Sequence, residues 1–409
     1  MNVNVCNYIK DNWKNTIRQP GKAVNGIVKM PFPFTTPCTN EGFVDFYYWD
    51  TYFANLGLLH DGLDKQVENN LDTMKFFIDS IGFVPNANNI LDRTQPPLFT
   101  AGVYDLYQFR DDVEVIQKYA DSIKRELEFF AYDRMTPIGL NAYSTKANKA
   151  ELKEVCKWLC LRIGEEVPED DEEKIHLARN LYAIAESGWD FNPRFRTEES
   201  RFATDEFVHL ELNCILYDAE QKAAEMFRVL RREEEAKEFE LHAAWRRERM
   251  ERYMKDSKTG IFLDYNFRRD SLSSVVSCAS LYVYAVGISD DKEAAKKVLQ
   301  RLELPHGIAA CEERPGDTYL QWDYPSMWPT NVYFACMGLR RIGLIEDAKR
   351  LAKKYCDTVD KCFNETGLLW EKYDATEGTV SVPREYETPA MMGWTAGVYL
   401  ALGELLLKE

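Results

Sequence analysis

From residue 47 nearly to the end, one pattern keeps returning: apolar residues at three- and four-residue spacing, a short polar break, then the same spacing again. Over 206–232, Val208, Leu212, Ile215, Ala219, Ala223 and Met226 fall on one helical face; over 234–256, Ala236, Phe239, Ala243, Met250 and Tyr253 do the same. The spacing predicts helices near 47–60, 62–81, 98–110, 112–134, 147–162, 171–186, 206–232, 234–256, 271–287, 290–304, 326–343, 344–364 and 388–408, with a weaker one over 3–17. Strand patterns are few and short, 260–265 and 367–373 being the clearest. The fold class is therefore all-α, with short β pieces in the loops. The helices come in pairs joined by short turns, and longer loops at 82–97, 187–205, 305–325 and 367–387 connect the pairs. Consecutive hairpins of this kind close into a toroid of inner and outer helices or run on as an open solenoid. No segment repeats at a fixed period, which weakens the solenoid.

Nothing divides the 409 residues: there is no Ser/Gly tract, Pro-rich spacer or low-complexity run. One domain over 1–409 is expected, with 1–42 as an N-terminal arm packing on it, because Pro31, Pro33 and Pro37 break any regular element there. Against 51 Lys and Arg stand 67 Asp and Glu, a formal charge of −16. Such a surface repels phosphate backbones and anionic lipid, so neither nucleic acid nor a membrane is an expected partner. The N-terminus lacks the basic-then-apolar order of a secretion signal. The longest near-apolar run, 275–286, is broken by serines and falls short of the ~20 residues a membrane span needs. Ten cysteines are scattered without close pairing, and five histidines are dispersed. Buried free thiols in a reducing cytoplasm are expected, with no metal site and no cofactor.

The chemistry collects in the long loops. Glu186-Ser187-Gly188-Trp189-Asp190-Phe191 combines a glycine that permits a sharp turn, an indole and a carboxyl group. An indole face against Asp190 dries the carboxyl and favours its neutral form, the proton donor that glycosidic cleavage needs. The plain alternative is a turn with one buried Trp and one solvated Asp. Of nine tryptophans, Trp49, Trp189, Trp322 and Trp370 each directly precede a carboxylate: Asp50, Asp190, Asp323 and Glu371. Sugars present apolar C–H faces and a rim of hydroxyls, and a pocket for them wants aromatic platforms beside carboxylates and amides. Against this stands a reading of core tryptophans and helix-capping acids, which Asp50 in particular suits.

Six segments resemble, in order, the trehalase family of glycoside hydrolases: Tyr47-Tyr48-Trp49-Asp50-Thr51-Tyr52-Phe53, Arg93-Thr94-Gln95-Pro96-Pro97, Glu186 to Phe191, Gln321-Trp322-Asp323-Tyr324-Pro325, Glu371-Lys372-Tyr373-Asp374 and Gly393-Trp394-Thr395. The resemblance implies an (α/α)6 toroid with its pocket at one end of the inner ring. It also implies inverting hydrolysis of trehalose or another α-glucoside, a small carbohydrate substrate, without a cofactor. Asp190 is similar to the family's general acid and Glu371 to its general base, 371 − 190 = 181 residues away. The implied substrate contacts are Phe43, Tyr47, Trp49, Asp50, Asn86, Arg93, Gln95, Gly188, Trp189, Trp322, Asp323 and Glu385. Asp264 and Tyr265 match a segment read as structural, and Lys372 beside Glu371 is read as solvated unless it points inward.

The departures are as informative. Gly42, in Asn40-Glu41-Gly42-Phe43, stands where the family has a substrate arginine, and Gly139-Leu140-Asn141 replaces an Arg-Pro-Glu segment. Thr379-Val380-Ser381-Val382-Pro383 has none of the family lid's glycines, and Ser326-Met327 follows Pro325 in place of Asn-Gly. Each change falls on the lid or the outer subsite, so the expectation is retained glycosidic chemistry with an altered leaving-group side. The competing readings are a non-catalytic sugar-binding relative, a toroidal isomerase or epimerase, and a helical scaffold. Isomerases want histidines for proton transfer, and only His306 comes near an aromatic loop.

Overall fold

The structure, a computed structural model, describes residues 1–22, 28–39, 41–197, 201–314, 320–380 and 387–407. The helices are α1 (Val3–Thr16), α2 (Tyr48–His60), α3 (Asp64–Ile81), α4 (Phe99–Arg110), α5 (Val113–Asp133), α6 (Lys149–Ile163), α7 (Asp171–Ser187), α8 (Leu210–Val229), α9 (Glu233–Tyr253), α10 (Ala279–Ala285), α11 (Lys292–Leu302), α12 (Pro329–Arg341), α13 (Ile345–Thr366) and α14 (Gly393–Leu407). Capping chemistry sets many of their ends. α6 opens on a capping box in which Asn148 accepts from the amides of Ala150 and Glu151 and Glu151 accepts from the amide of Asn148. α7 opens on Asp170, whose carboxylate accepts from Glu172 and Glu173, with three acids in the first turn facing the positive helix end.

Several patterns yield less helix than the spacing predicts, 206–232 and 271–287 among them. Phe207–Val208, at the start of the 206–232 pattern, pairs as a strand with Tyr265–Asn266, which also pairs with Ser271–Leu272. The 271–287 pattern keeps only α10, because serines at its front bond locally in place of helix: Ser271–Leu272 pairs as a strand and Ser273 Oγ accepts from the amide of Val275 (3.3 Å).

Which helices line the centre follows from how widely their apolar residues spread. α2 and α14 bury residues on every side, as a helix surrounded by other helices must. α13 buries one stripe, Ala348, Leu351, Ala352, Tyr355, Cys356 and Val359, and α11 another, Ala294, Ala295, Val298, Leu299 and Leu302. The all-round apolar helices accordingly sit inside and the striped ones outside. α2, α4, α8, α10, α12 and α14 contact one another in that order, and α14 returns to α2. α3, α5, α9, α11 and α13 cover this ring, and α1 lies against α14, with Trp13 Nε1 donating to Asp61 Oδ2 (2.7 Å). Together these form an (α/α)6 toroid. α6 and α7 are a further hairpin inserted between α5 and α8, packed chiefly on one another.

Ring closure depends on two glycines. A Cβ on Gly397 would lie 1.8 Å from the carbonyl oxygen of Phe53, and one on Gly57 would lie 2.9 Å from Gly397 Cα. α2 and α14 thus meet backbone to backbone, where any side chain would force them apart.

A buried ion cluster ties the loop after α7 to the head of α8. Arg194 Nη1 donates to both oxygens of Asp264 (2.8 and 2.9 Å), and its Nη2 lies 2.5 Å from Glu211 Oε1. Asp264 Oδ1 also accepts from the amide of Leu210 (2.8 Å). Removing one member of such a group strands the others without solvent. Arg194→Ala, which leaves Asp264 and Glu211 without their shared cation, is therefore expected to cost about 3–5 kcal/mol, read as a lowered urea midpoint with an unchanged slope; an unchanged midpoint would show that the cluster adds no stability.

Candidate active site

The long loops converge at the N-terminal ends of inner helices, and one buried carboxylate ties the connections before α4 and before α6 to the end of α7. Glu186, in the last turn of α7, accepts from Arg134 Nε (2.9 Å) and Nη2 (2.8 Å), from the amide of Thr94 (3.0 Å) and from the amide of Ser144 (2.7 Å). One residue later, Ser187 Oγ accepts from the amide of Trp189 (3.0 Å). Gly188 then ends the helix at φ +73°, and a Cβ there would press on the indole of Trp49 at 3.4 Å. The turn that follows is stitched to the 321–325 turn: Trp322 N donates to Asp190 O (2.9 Å) and Asn192 Nδ2 to Trp322 O (2.6 Å). On the opposite side Trp49 N donates to Gln95 Oε1 (3.0 Å), Tyr48 N to Asn86 O (3.1 Å), and Trp394 Nε1 to Glu371 O (2.8 Å).

These contacts enclose a cavity of about 610 Å³. Asp50, Asp190 and Glu371 all line it, with Phe43, Tyr47, Trp49, Asn86, Arg93, Gln95, Gly188 and Trp322. An aromatic cluster lies beneath. Trp322 stacks on Trp328 at 3.7 Å between centroids, and Trp49 and Trp394 approach it at 5.9 and 6.3 Å. Trp328 caps α12, and Trp394 and Asp50 sit in the first turns of α14 and α2. Arg93 keeps its guanidinium over the ring of Tyr182 (4.3 Å) and donates to both oxygens of Asp92 (2.8 and 2.9 Å).

The carboxylates differ in surroundings. Asp50 is buried, and burial first and the neighbouring Glu371 second push its carboxyl up to about 8, against a lowering by its own amide. The positive end of α2 favours the charged form by only ~0.3–1 kcal/mol and does not overcome this. A carboxyl raised in this way favours its neutral form near pH 7, in which it can donate a hydrogen bond. Asp50 is not the helix cap, a place held by Tyr47. Lys372 points inward: fully buried, it lies 3.6 Å from Glu371 Oε2 and over the ring of Trp328 (5.0 Å). Asp190 keeps 27% of its side chain exposed and lies 3.4 Å from Arg162 Nη2.

Two expected contacts, Trp189 and Asp323, do not line the cavity. Trp189 is wholly buried, stacked on Trp322 (5.4 Å) and under the Arg194 guanidinium (4.5 Å), so it does not line the cavity. Its indole is spent on the core, and the neighbour of Asp190 is an arginine rather than an aromatic wall. Asp323 is also buried away from the cavity, accepting from Cys311 Sγ (3.1 Å), Tyr324 N (2.7 Å) and Leu320 N (3.3 Å) to hold its own turn. Glu385 lies outside the described residues. Trp370 turns outward to donate to Thr366 Oγ1 (3.1 Å). None of residues 139–141 lines the cavity.

The cavity also contains side chains that the motifs do not mark: Trp158 and Arg162 of α6, Trp328, and Glu387 and Met391 before α14. For α6 a signal exists. Its buried stripe is Leu152, Cys156, Leu159, Cys160 and Ile163, which leaves Trp158 and Leu161 as large apolar residues on the wrong face. Among the described residues no helix is long and apolar enough to cross a membrane, and the ten cysteines are free, nine of them buried.

A model of the trehalase family matches residues 2–406. Neutral trehalase Nth1 from Saccharomyces cerevisiae is similar in structure, with a TM-score of 0.75 at 22% identity over 98% of this chain and 80% of that one. A GH63 mannosylglycerate hydrolase from Thermus thermophilus, solved with glucose, gives 0.66 at 16% identity over 97% and 99%. The same hydrolase with Tris and D-glycerate gives 0.65 at 14% identity over 97% and 99%. At these identities the likenesses establish the fold.

The raised Asp50 carboxyl has a consequence for stability. The folded chain holds a proton that the unfolded chain releases above about pH 4, so this contribution is complete below pH 4 and is lost as pH rises towards 8. Asp50→Asn lacks that loss. Its melting temperature minus that of the parent is expected to climb between pH 5 and pH 8 and then level off; a difference constant across that range would mean that Asp50 titrates as an ordinary carboxyl.

Proposed function

Because this chain belongs to the trehalase family and is a glycoside hydrolase, we propose that it cleaves trehalose or another α-glucoside with inversion, using Asp190 as general acid and Glu371 as general base. The observation that carries this is the meeting of two carboxylates, 371 − 190 = 181 residues apart in the chain, on the walls of one tryptophan-floored cavity. Asp190 gives its proton to the glycosidic oxygen as the bond from that oxygen to the anomeric carbon breaks. Glu371 takes a proton from a water that attacks the opposite face of the same carbon, forming the new bond. In inverting enzymes the two groups stand ~6.5–9.5 Å apart to admit that water.

The remaining wall suits a hexose. Trp49 and Trp322 offer faces for its C–H surface, Asn86 and Gln95 offer amides, and Asp50 in its neutral form offers a donor for a hydroxyl. Lys372 beside Glu371 supplies a positive charge out of water, which supports a base that works as a carboxylate. The glucose and D-glycerate held by the structurally similar hydrolase fit a site for a sugar and a small leaving group. The buried free thiols suit a cytoplasmic setting.

Hydrolysis of an α-glucoside whose leaving group is not itself a glucose, followed by proton NMR, should show the β-anomer of glucose first; α-glucose as the initial product would rule out inversion. Asp190→Asn and Glu371→Gln should each lower kcat by about 10²–10⁴ while retaining the parent melting temperature within a few degrees. Full activity in either variant would reassign that role.

A further inference from the structure

The cavity grades from floor to mouth. Trp49, Asp50, Trp322 and Glu371 are buried, whereas Gly42, Trp158 and Glu387 are exposed. A proton donor touches the leaving oxygen, so the leaving group lies beside Asp190. The side chain that meets Asp190 there is Arg162, whose guanidinium is sandwiched over Trp158 and Phe191 at 4.9 Å from each ring. Trp158 is 55% exposed and lines the cavity at its mouth. Phe43, Ile90 and Pro389 add apolar wall to the same cavity. Gly42 contributes no cation where the family has an arginine, and residues 139–141 are absent from the lining.

We propose that α6 builds the leaving-group subsite of this enzyme and that it takes an aglycone with a flat, apolar face, such as an aryl group, in place of a second glucose. Trp158 is the platform on which that face rests. Arg162, its planar guanidinium held in place by two aromatic neighbours, donates to the polar edge of the aglycone next to the departing oxygen. The subsite rests on the reading of Asp190 as the acid. It differs from that reading in origin, because it belongs to the hairpin inserted between α5 and α8 and to none of the six motif segments.

The test compares two substrates with the same sugar. 4-Nitrophenyl α-D-glucopyranoside has an aryl aglycone; α-D-glucopyranosyl fluoride has nothing to place on α6. For Trp158→Ala and Arg162→Gln, the ratio of kcat/KM for the aryl glucoside to that for the fluoride should fall by at least about tenfold, with the Trp158→Ala loss appearing in KM. Ratios within about twofold of the parent for both variants would overturn the subsite. So would a parent enzyme that hydrolyses the fluoride and leaves the aryl glucoside intact. A parent that cleaves trehalose but neither compound overturns the subsite and leaves the α-glucosidase reading; one that cleaves none of the three removes that reading and the subsite with it.

Discussion

The site depends on a carboxylate that never sees substrate. Glu186 is fully buried, and its two oxygens take four hydrogen bonds: two from Arg134 and one each from the backbone before α4 and the backbone before α6. An ionised group can stand so far from water only when its charge is matched and its lone pairs are occupied. The consequence is geometric. Satisfying Glu186 brings Arg93, Thr94 and Gln95 to the end of α7, from which Gly188 turns the chain into Asp190. The two halves of the cavity wall are thereby fixed relative to one another before any ligand arrives, which is the preorganisation that catalysis by positioned groups demands.

Under the cavity the tryptophans do a different job from the one their spacing suggests. Trp322 is the centre of the cluster, in contact with Trp49, Trp189, Trp328 and Trp394. All of these but Trp189 reach the cavity, and together they make its dry floor. That floor lowers the local dielectric, and the effect appears in Asp50, whose neutral form is favoured by burial and by Glu371 close at hand. Asp50, Glu371 and Lys372 thus stand together in one dry space.

Much of this was legible in the chain. Helix positions were, because the apolar spacing that makes a helix amphipathic is written in consecutive residues; α13 and α11 show it plainly. The 206–232 helix drops to a shorter length because its front carries residues equally at home in a strand, as Val208 is. Most candidate side chains also stand on one cavity, because motif residues in successive loops of a toroid converge on one end. Trp189 and Asp323 do not, since adjacent residues on a tight turn point different ways and the motif cannot say which faces inward. Trp158 and Arg162 lay in an ordinary-looking helix, and their only trace was an indole off the buried stripe.

What the sequence determined alone is local: helix periods, caps, the glycine that turns the chain at 188, and the presence of carboxylates beside aromatics. These depend on neighbours a few residues away, so the order of residues suffices. What only the tertiary structure decided is long-range. Asp50 and Glu371 share an environment across more than three hundred residues, Lys372 turns inward, and α6 reaches the mouth beside Asp190. Burial and charge proximity belong to space and have no signature in the chain, which is why the protonation of Asp50 and the aromatic outer wall emerge only when the ring closes.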